Sequence, residues 1–148
     1  METQLNMKSD PLITDAGLIA REMYAIANII ENDFEDEKWR TVIKLKNAAS
    51  DAYFNVANVV GAGKNQSLEY DCINARKNLI ALKSMYIFAS KEGMIKLDPQ
   101  LVVDIDNLVG KIDQEMTASR DEIKLRAEEE LKPWLEKYHI WQKISKNQ

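Results

Sequence analysis

Apolar residues recur along the chain at alternating steps of three and four, the spacing that lines one face of an α-helix. The first seam is Leu12, Ile13, Ala16, Ile19, Met23, Ile26 and Ile30. It predicts a helix from about Thr14 to Asn32, capped at its start by Thr14 or Asp15. Residues 31–36 break the pattern and read as a loop. A second helix is predicted from about Asp36 to Val60, with the seam Val42, Leu45, Ala49, Ala52, Val56 and Val59 and a glycine-rich stop at Gly61-Ala62-Gly63. The third seam is the most regular: Leu68, Cys72, Ala75, Leu79, Leu82, Tyr86 and Ala89, with Ser67 as N-cap and Gly93 as stop. Asp98-Pro99 opens a fourth helix, whose seam is Leu101, Ile105, Leu108 and Ile112.

Four amphipathic helices with short connections predict an all-α, up-down-up-down four-helix bundle over residues 1–116. A C-terminal helical extension, 117–148, follows. Its stripe is Ile123, Ala127, Leu131, Trp134, Tyr138 and Trp141. Ser119-Arg120-Asp121-Glu122 has the capping-box pattern of a fresh helix start, and Pro133 is expected to kink or divide the segment. The alternative is one long fourth helix reaching about Lys132. Trp134, Tyr138 and Trp141 are candidates for docking a partner, and packing onto the bundle's own end is the competing reading.

Some apolar residues fall outside the seams. Ile73, Ile80 and Ile87 form a second stripe on the third helix, with Arg76 and Lys83 between them. Phe54 adjoins Tyr53, so if one borders the core the other points away. A closed bundle needs only one buried stripe per helix. Phe54, Ile73, Ile80 and Ile87 are therefore the expected interface of a homo-oligomer.

Composition adds mainly exclusions. With 148 residues, 45% apolar, 30% charged, 5 Gly and 3 Pro, the chain is neither disordered nor collagen-like, and is short of turn residues for an all-β fold. The single Cys72 excludes an internal disulfide, and the single His139 excludes a histidine-pair metal site. No signal peptide or membrane span is legible, so a cytoplasmic protein with no membrane partner is expected. The net charge of −4 is uneven: residues 1–37 carry −7, 38–96 carry +6 and 97–148 carry −3. A basic middle segment can attract a polyanion, or simply pair with acidic neighbours.

Candidate chemistry is sparse. Gly61-Ala62-Gly63-Lys64 lacks the earlier glycine, the following Ser or Thr and the preceding strand of a phosphate loop. Glu136-Lys137-Tyr138-His139 is one Glu-x-x-His element where a di-metal bundle needs two and further inward glutamates. Cys72 lies on a core seam and reads as a small buried apolar group. We expect no enzyme, no catalytic residues, no metal and no cofactor.

One resemblance runs through residues 34–116. Phe34-Glu35-Asp36-Glu37-Lys38-Trp39-Arg40, Lys46-Asn47-Ala48-Ala49, Asn58-Val59-Val60-Gly61-Ala62-Gly63-Lys64, Ser67-Leu68-Glu69-Tyr70, Ala75-Arg76-Lys77 through Leu82 and Ala89, and Leu97-Asp98-Pro99 occur in that order. The series resembles the bacterial four-helix bundle family of the 23S rRNA intervening-sequence proteins, closest to its accessory variability determinant (Avd) branch from diversity-generating retroelements. The resemblance implies a ring-like homopentamer of four-helix bundles. In the Avd branch it implies binding to a reverse transcriptase and its template RNA in support of mutagenic cDNA synthesis. The residues then expected to meet RNA are Lys38, Arg40, Lys44 and Lys46 on the second helix, and Arg76, Lys77 and Lys83 on the third. The alternative is a structural or protein-binding oligomer with no nucleic-acid role.

Overall fold

The computed structural model describes residues 10–62 and 67–147, with only the backbone of Asp36, and Gly63 and Lys64 of the glycine-rich sequence lie outside them. The described chain is helical, without strands: α1 (Pro11–Phe34), a 3₁₀ turn (Glu35–Lys38), α2 (Trp39–Ala62), α3 (Leu68–Lys91) and α4 (Pro99–Lys146). It divides into two compact units, 1–116 and 117–148.

The first unit is a four-helix bundle whose direction can be read from cross-helix contacts. Along α1 and α2, Gly17 lies beside Tyr53, Tyr24 bonds Ser50 and Glu31 pairs with Lys46. One number rises as the other falls, so the helices are antiparallel. Arg76–Asp113 and Lys83–Asp106 show the same for α3 and α4, and Lys111–Asp15 ties α4 back to α1. The four seams meet in one apolar core. On α2, α3 and the bundle part of α4, the buried residues are the expected seams without exception. On α1, Ala27 takes the buried position expected for Ile26, and Leu12 and Ile26 of the expected seam are only partly buried.

The helix ends differ from expectation in several places, each for a local reason. Asp10, not Thr14 or Asp15, caps α1: its Oδ1 accepts from Leu12 N at 2.8 Å, and Pro11 fills the first helical position where no amide partner is needed. Residues 31–34 continue α1 instead of forming a loop, because burying Ile30 carries the helix one turn further before Glu35 turns the chain at φ 50°. The second α-helix begins at Trp39, since the 3₁₀ turn takes up residues 35–38. It runs through Gly61 to Ala62. Ser67 precedes α3 but makes no side-chain capping bond, its backbone being helical (φ −76°, ψ −10°) rather than extended as a cap requires.

The α3–α4 turn positions two helices through one glycine and one tyrosine. Met94 N donates to Ala89 O and Gly93 N to Ser90 O, both at 3.0 Å, a paired closure that needs Gly93 at φ 75°. Met94 folds into the core behind it. Tyr86 is fully buried, yet its hydroxyl accepts from Asp98 N at 2.7 Å. Asp98 Oδ1 in turn accepts from Gln100 N at 3.0 Å, starting α4 as expected.

The second unit is helical throughout. The capping-box sequence at 119–122 starts nothing, because α4 arrives there already helical, and Pro133 lies inside the helix without dividing it. Proline removes one amide bond, but the turns on either side keep theirs.

Two glycines separate conformational need from open space. Gly93→Ala should destabilise the chain by about 1–2 kcal/mol in urea denaturation, because alanine resists the left-handed backbone. Gly110, exposed in mid-helix with nothing within 4 Å of an added Cβ, should give about 0.5–1 kcal/mol of added stability as Gly110→Ala.

Candidate interaction surfaces

The expected RNA contacts do not form one face. Five of the seven lie in three of the seams between helices, and the seam decides their chemistry. Lys46 turns toward α1 and lies 3.6 Å from Glu31. Arg76 Nε lies 3.2 Å from Asp113 Oδ1, and Lys83 Nζ donates to Asp106 at 2.7 Å, both across the α3–α4 seam. Lys38 is half-buried in the 3₁₀ turn, and Lys77 is exposed on α3. Arg40 and Lys44, one turn apart, have no carboxylate partner among the described side chains. They line a groove of about 300 Å³ between α2 and α3 together with Thr41, Ser84, Met85 and Phe88.

Phe88 was not singled out from the sequence. It precedes the seam residue Ala89, so it points away from the core, and its ring is 53% exposed. The signal was there in its position opposite the seam. What the sequence lacked was the pairing of α2 with α3 that brings an aromatic ring beside two cations. Arg40 also sits 5.6 Å over the Trp39 ring, a cation–π contact that holds the guanidinium at the surface.

The expected oligomer residues fall on two opposite edges of the bundle. Ile73 and Ile80 are exposed beside the Arg76–Asp113 and Lys83–Asp106 pairs on the α3–α4 edge, whereas Ile87 is half-buried. Phe54 belongs to the α1–α2 edge. Its ring is 63% exposed and stands edge-on to Tyr53, with centroids 5.9 Å apart. Tyr53 packs against the core and forms one wall of a 720 Å³ groove lined otherwise by α1, including Gly17, Leu18, Tyr24 and Ala25. Gly17 shapes that groove by leaving space beside Tyr53.

In the second unit Trp134, Tyr138 and Trp141 are all exposed. Tyr138 stacks on Trp141 at 6.3 Å, and Lys137 Nζ lies 5.2 Å over the Trp134 ring. His139 lies beside Tyr138. Among the described residues, no group of three or more His, Cys, Asp or Glu side chains is placed to hold a metal ion, and no helix is long and apolar enough to cross a membrane.

The Cys72 thiol has a displaced pKa. Burial pushes its thiol from 9.0 up to about 11, and the charges of Glu115, Asp71, Asp113 and Glu69 add to the rise. The folded chain therefore keeps its thiol proton through a range where the unfolded chain, ionising near 9, has lost it. Fewer protons bound by the unfolded state means stability falls as pH rises from 9 to 11. Thiol reagent at pH 8 should not label the folded chain but should label it in denaturant. The fall between pH 9 and 11 should flatten in Cys72→Ala relative to the unsubstituted chain. No protein-family model, curated protein or solved structure matches this chain.

Proposed function

We propose that this chain is a non-enzymatic, homo-oligomeric scaffold: an accessory protein of a diversity-generating retroelement that binds a reverse transcriptase and template RNA. The observation that carries the oligomer is the presence of two different apolar patches on opposite edges of one bundle. Ile73 and Ile80 make a ridge on the α3–α4 edge, and the groove walled by Tyr53 makes a hollow on the α1–α2 edge. Unlike patches that join head to tail make a heterologous interface, which closes into a ring when the rotation per subunit allows. The ring of five follows the Avd resemblance.

The RNA role is supported by the α2–α3 groove. Arg40 and Lys44 supply phosphate neutralisation, and Phe88 supplies a face on which a base can stack. Thr41 and Ser84 offer hydroxyls that bond any base alike, so binding is expected to depend little on sequence. The reverse transcriptase partner rests on the resemblance in 34–116. The second reading, a protein-binding oligomer without RNA, is favoured by the ion pairs of Lys46, Arg76 and Lys83, which take three of the seven expected cations out of play.

Two measurements test these parts separately. Ile80→Asp should shift the chain to a smaller species in analytical ultracentrifugation while keeping its helical circular dichroism. Unchanged mass would remove the ring. In RNA titrations from about 50 mM salt upward, Arg40→Ala and Lys44→Ala should each lower the log-affinity against log-salt slope by about one, and Lys46→Ala by less. No RNA binding at the low-salt end would leave the protein-only reading.

A further inference from the structure

The 117–148 unit carries an apolar face, the charges around it and a pattern that fixes what can cover it. Lys124, Ala127, Leu131, Trp134, Tyr138 and Trp141 alternate in steps of three and four, the inward positions of a coiled coil. Leu131, Trp134, Tyr138 and Trp141 are all more than half exposed. Arg126 bonds Glu122 and Gln142 bonds Tyr138, while Glu128, Glu129 and Glu130 follow one another. A helix of this kind gains most of its stability from burying its apolar face, not from its own turns.

Charge gives the direction of the partner. Residues 119–131 carry a net −2, and residues 132–147 carry +3. A parallel second copy would set like against like, whereas an antiparallel copy sets the acidic half on the basic half. Side-chain size and flanking charge then select one alignment. In an antiparallel pair each inward layer joins an a-type residue to a d-type residue, and flanking residues meet across the same edge. With Leu131 opposite the second copy's Trp134, the small Ala127 faces the large Tyr138, and Lys124 faces Trp141, where a cation meets an aromatic ring. Glu130 then flanks Lys137, and Ile123 flanks Ile144, both exposed apolar residues. By two-fold symmetry every contact occurs twice. Sliding one heptad in one direction sets Glu130 against Glu130, and in the other sets Lys137 against Lys137. Pro133 lies on the outward side in this alignment, so its ring does not enter the interface.

We propose that this segment is a self-recognition element: it pairs antiparallel with the same segment of a second copy, with Leu131 against Trp134, Ala127 against Tyr138 and Glu130 against Lys137. This contact is separate from the bundle edges. It joins chains even where the Ile80 ridge has been disabled.

The test uses the full chain carrying Ile80→Asp, so that any remaining association is read without the bundle ridge. Sedimentation should show a dimer. Glu130→Lys or Lys137→Glu, each placing like charges together twice, should raise its dissociation constant by roughly tenfold. Combining Glu130→Lys with Lys137→Glu should restore it to within about threefold, since the pair is only exchanged. Ala127→Cys and Tyr138→Cys chains in a Cys72→Ala background should form a disulfide-linked dimer when mixed and oxidised, and neither should do so alone. A monomeric Ile80→Asp chain would leave the face to a different partner and overturn the proposal. Equal association in the Ile80→Asp chain and in all three charge variants would do the same, as would linking of Ala127→Cys to itself. The ring on the bundle edges would stand or fall separately, on the Ile80→Asp measurement in the otherwise unaltered chain.

Discussion

The bundle is held by an interior to which no charged side chain contributes among the described residues. Everything else follows from that constraint. Ala16, Ala27, Ala49, Ala52, Ala75 and Ala89 put small side chains into the seams, so helices approach closely, while Met23, Leu45, Leu79, Leu82 and Ile105 fill the space between. Each buried methylene contributes about 0.8 kcal/mol, and burying a polar side chain without a partner is costly. Polar chemistry is thereby driven outward, and whatever the chain does for other molecules it does from its surface.

Tyr86 is the exception that connects core to surface. Its ring is as buried as any leucine, but its hydroxyl meets the Asp98 amide at the start of α4. A buried hydroxyl without a partner costs about 1–3 kcal/mol, so the bond fixes where α4 begins relative to α3. That placement in turn sets the register of Arg76 with Asp113 and Lys83 with Asp106. These pairs are substantially exposed and add little stability on their own. Their larger effect is to spend the cations nearest the isoleucine ridge on partners in the same chain.

How far the sequence reaches follows from what each feature depends on. The seams of α2, α3 and α4 depend only on helical period, and they were legible residue by residue. Helix ends depend on which of several capping groups wins, and there the reading was uneven. Asp98-Pro99 was legible as a helix start, yet the same dipeptide at Asp10-Pro11 yielded to Thr14 and Asp15, which offer equally good capping oxygens a turn later. Pro133 and the 119–122 capping box suggested a break because both are local signals, and a helix already propagating overrides them. The fate of the cations was least legible. Lys46, Arg76 and Lys83 are paired by residues 15, 37 and 23 positions away, and only the pairing of helices decides which cations remain for another molecule.

The same logic explains why the exposed apolar residues carry more information than the exposed charges. A surface cation is cheap to solvate and can sit anywhere, so seven of them, five in seams, one in the 3₁₀ turn and one exposed on α3, say little by themselves. An exposed isoleucine or tryptophan in a chain that has already closed a core gains from a partner, and its position on a helix face limits what that partner can be. Ile73 and Ile80 lie beside charges neutralised within the subunit, giving an apolar centre with a polar rim, the anatomy of a protein interface. The groove walled by Tyr53 lies on the α1–α2 edge, so one subunit presents two unlike apolar patches on different edges. In the proposed head-to-tail ring each interface would join one patch to the other, and the Arg40–Lys44–Phe88 groove on the α2–α3 side would recur once per subunit.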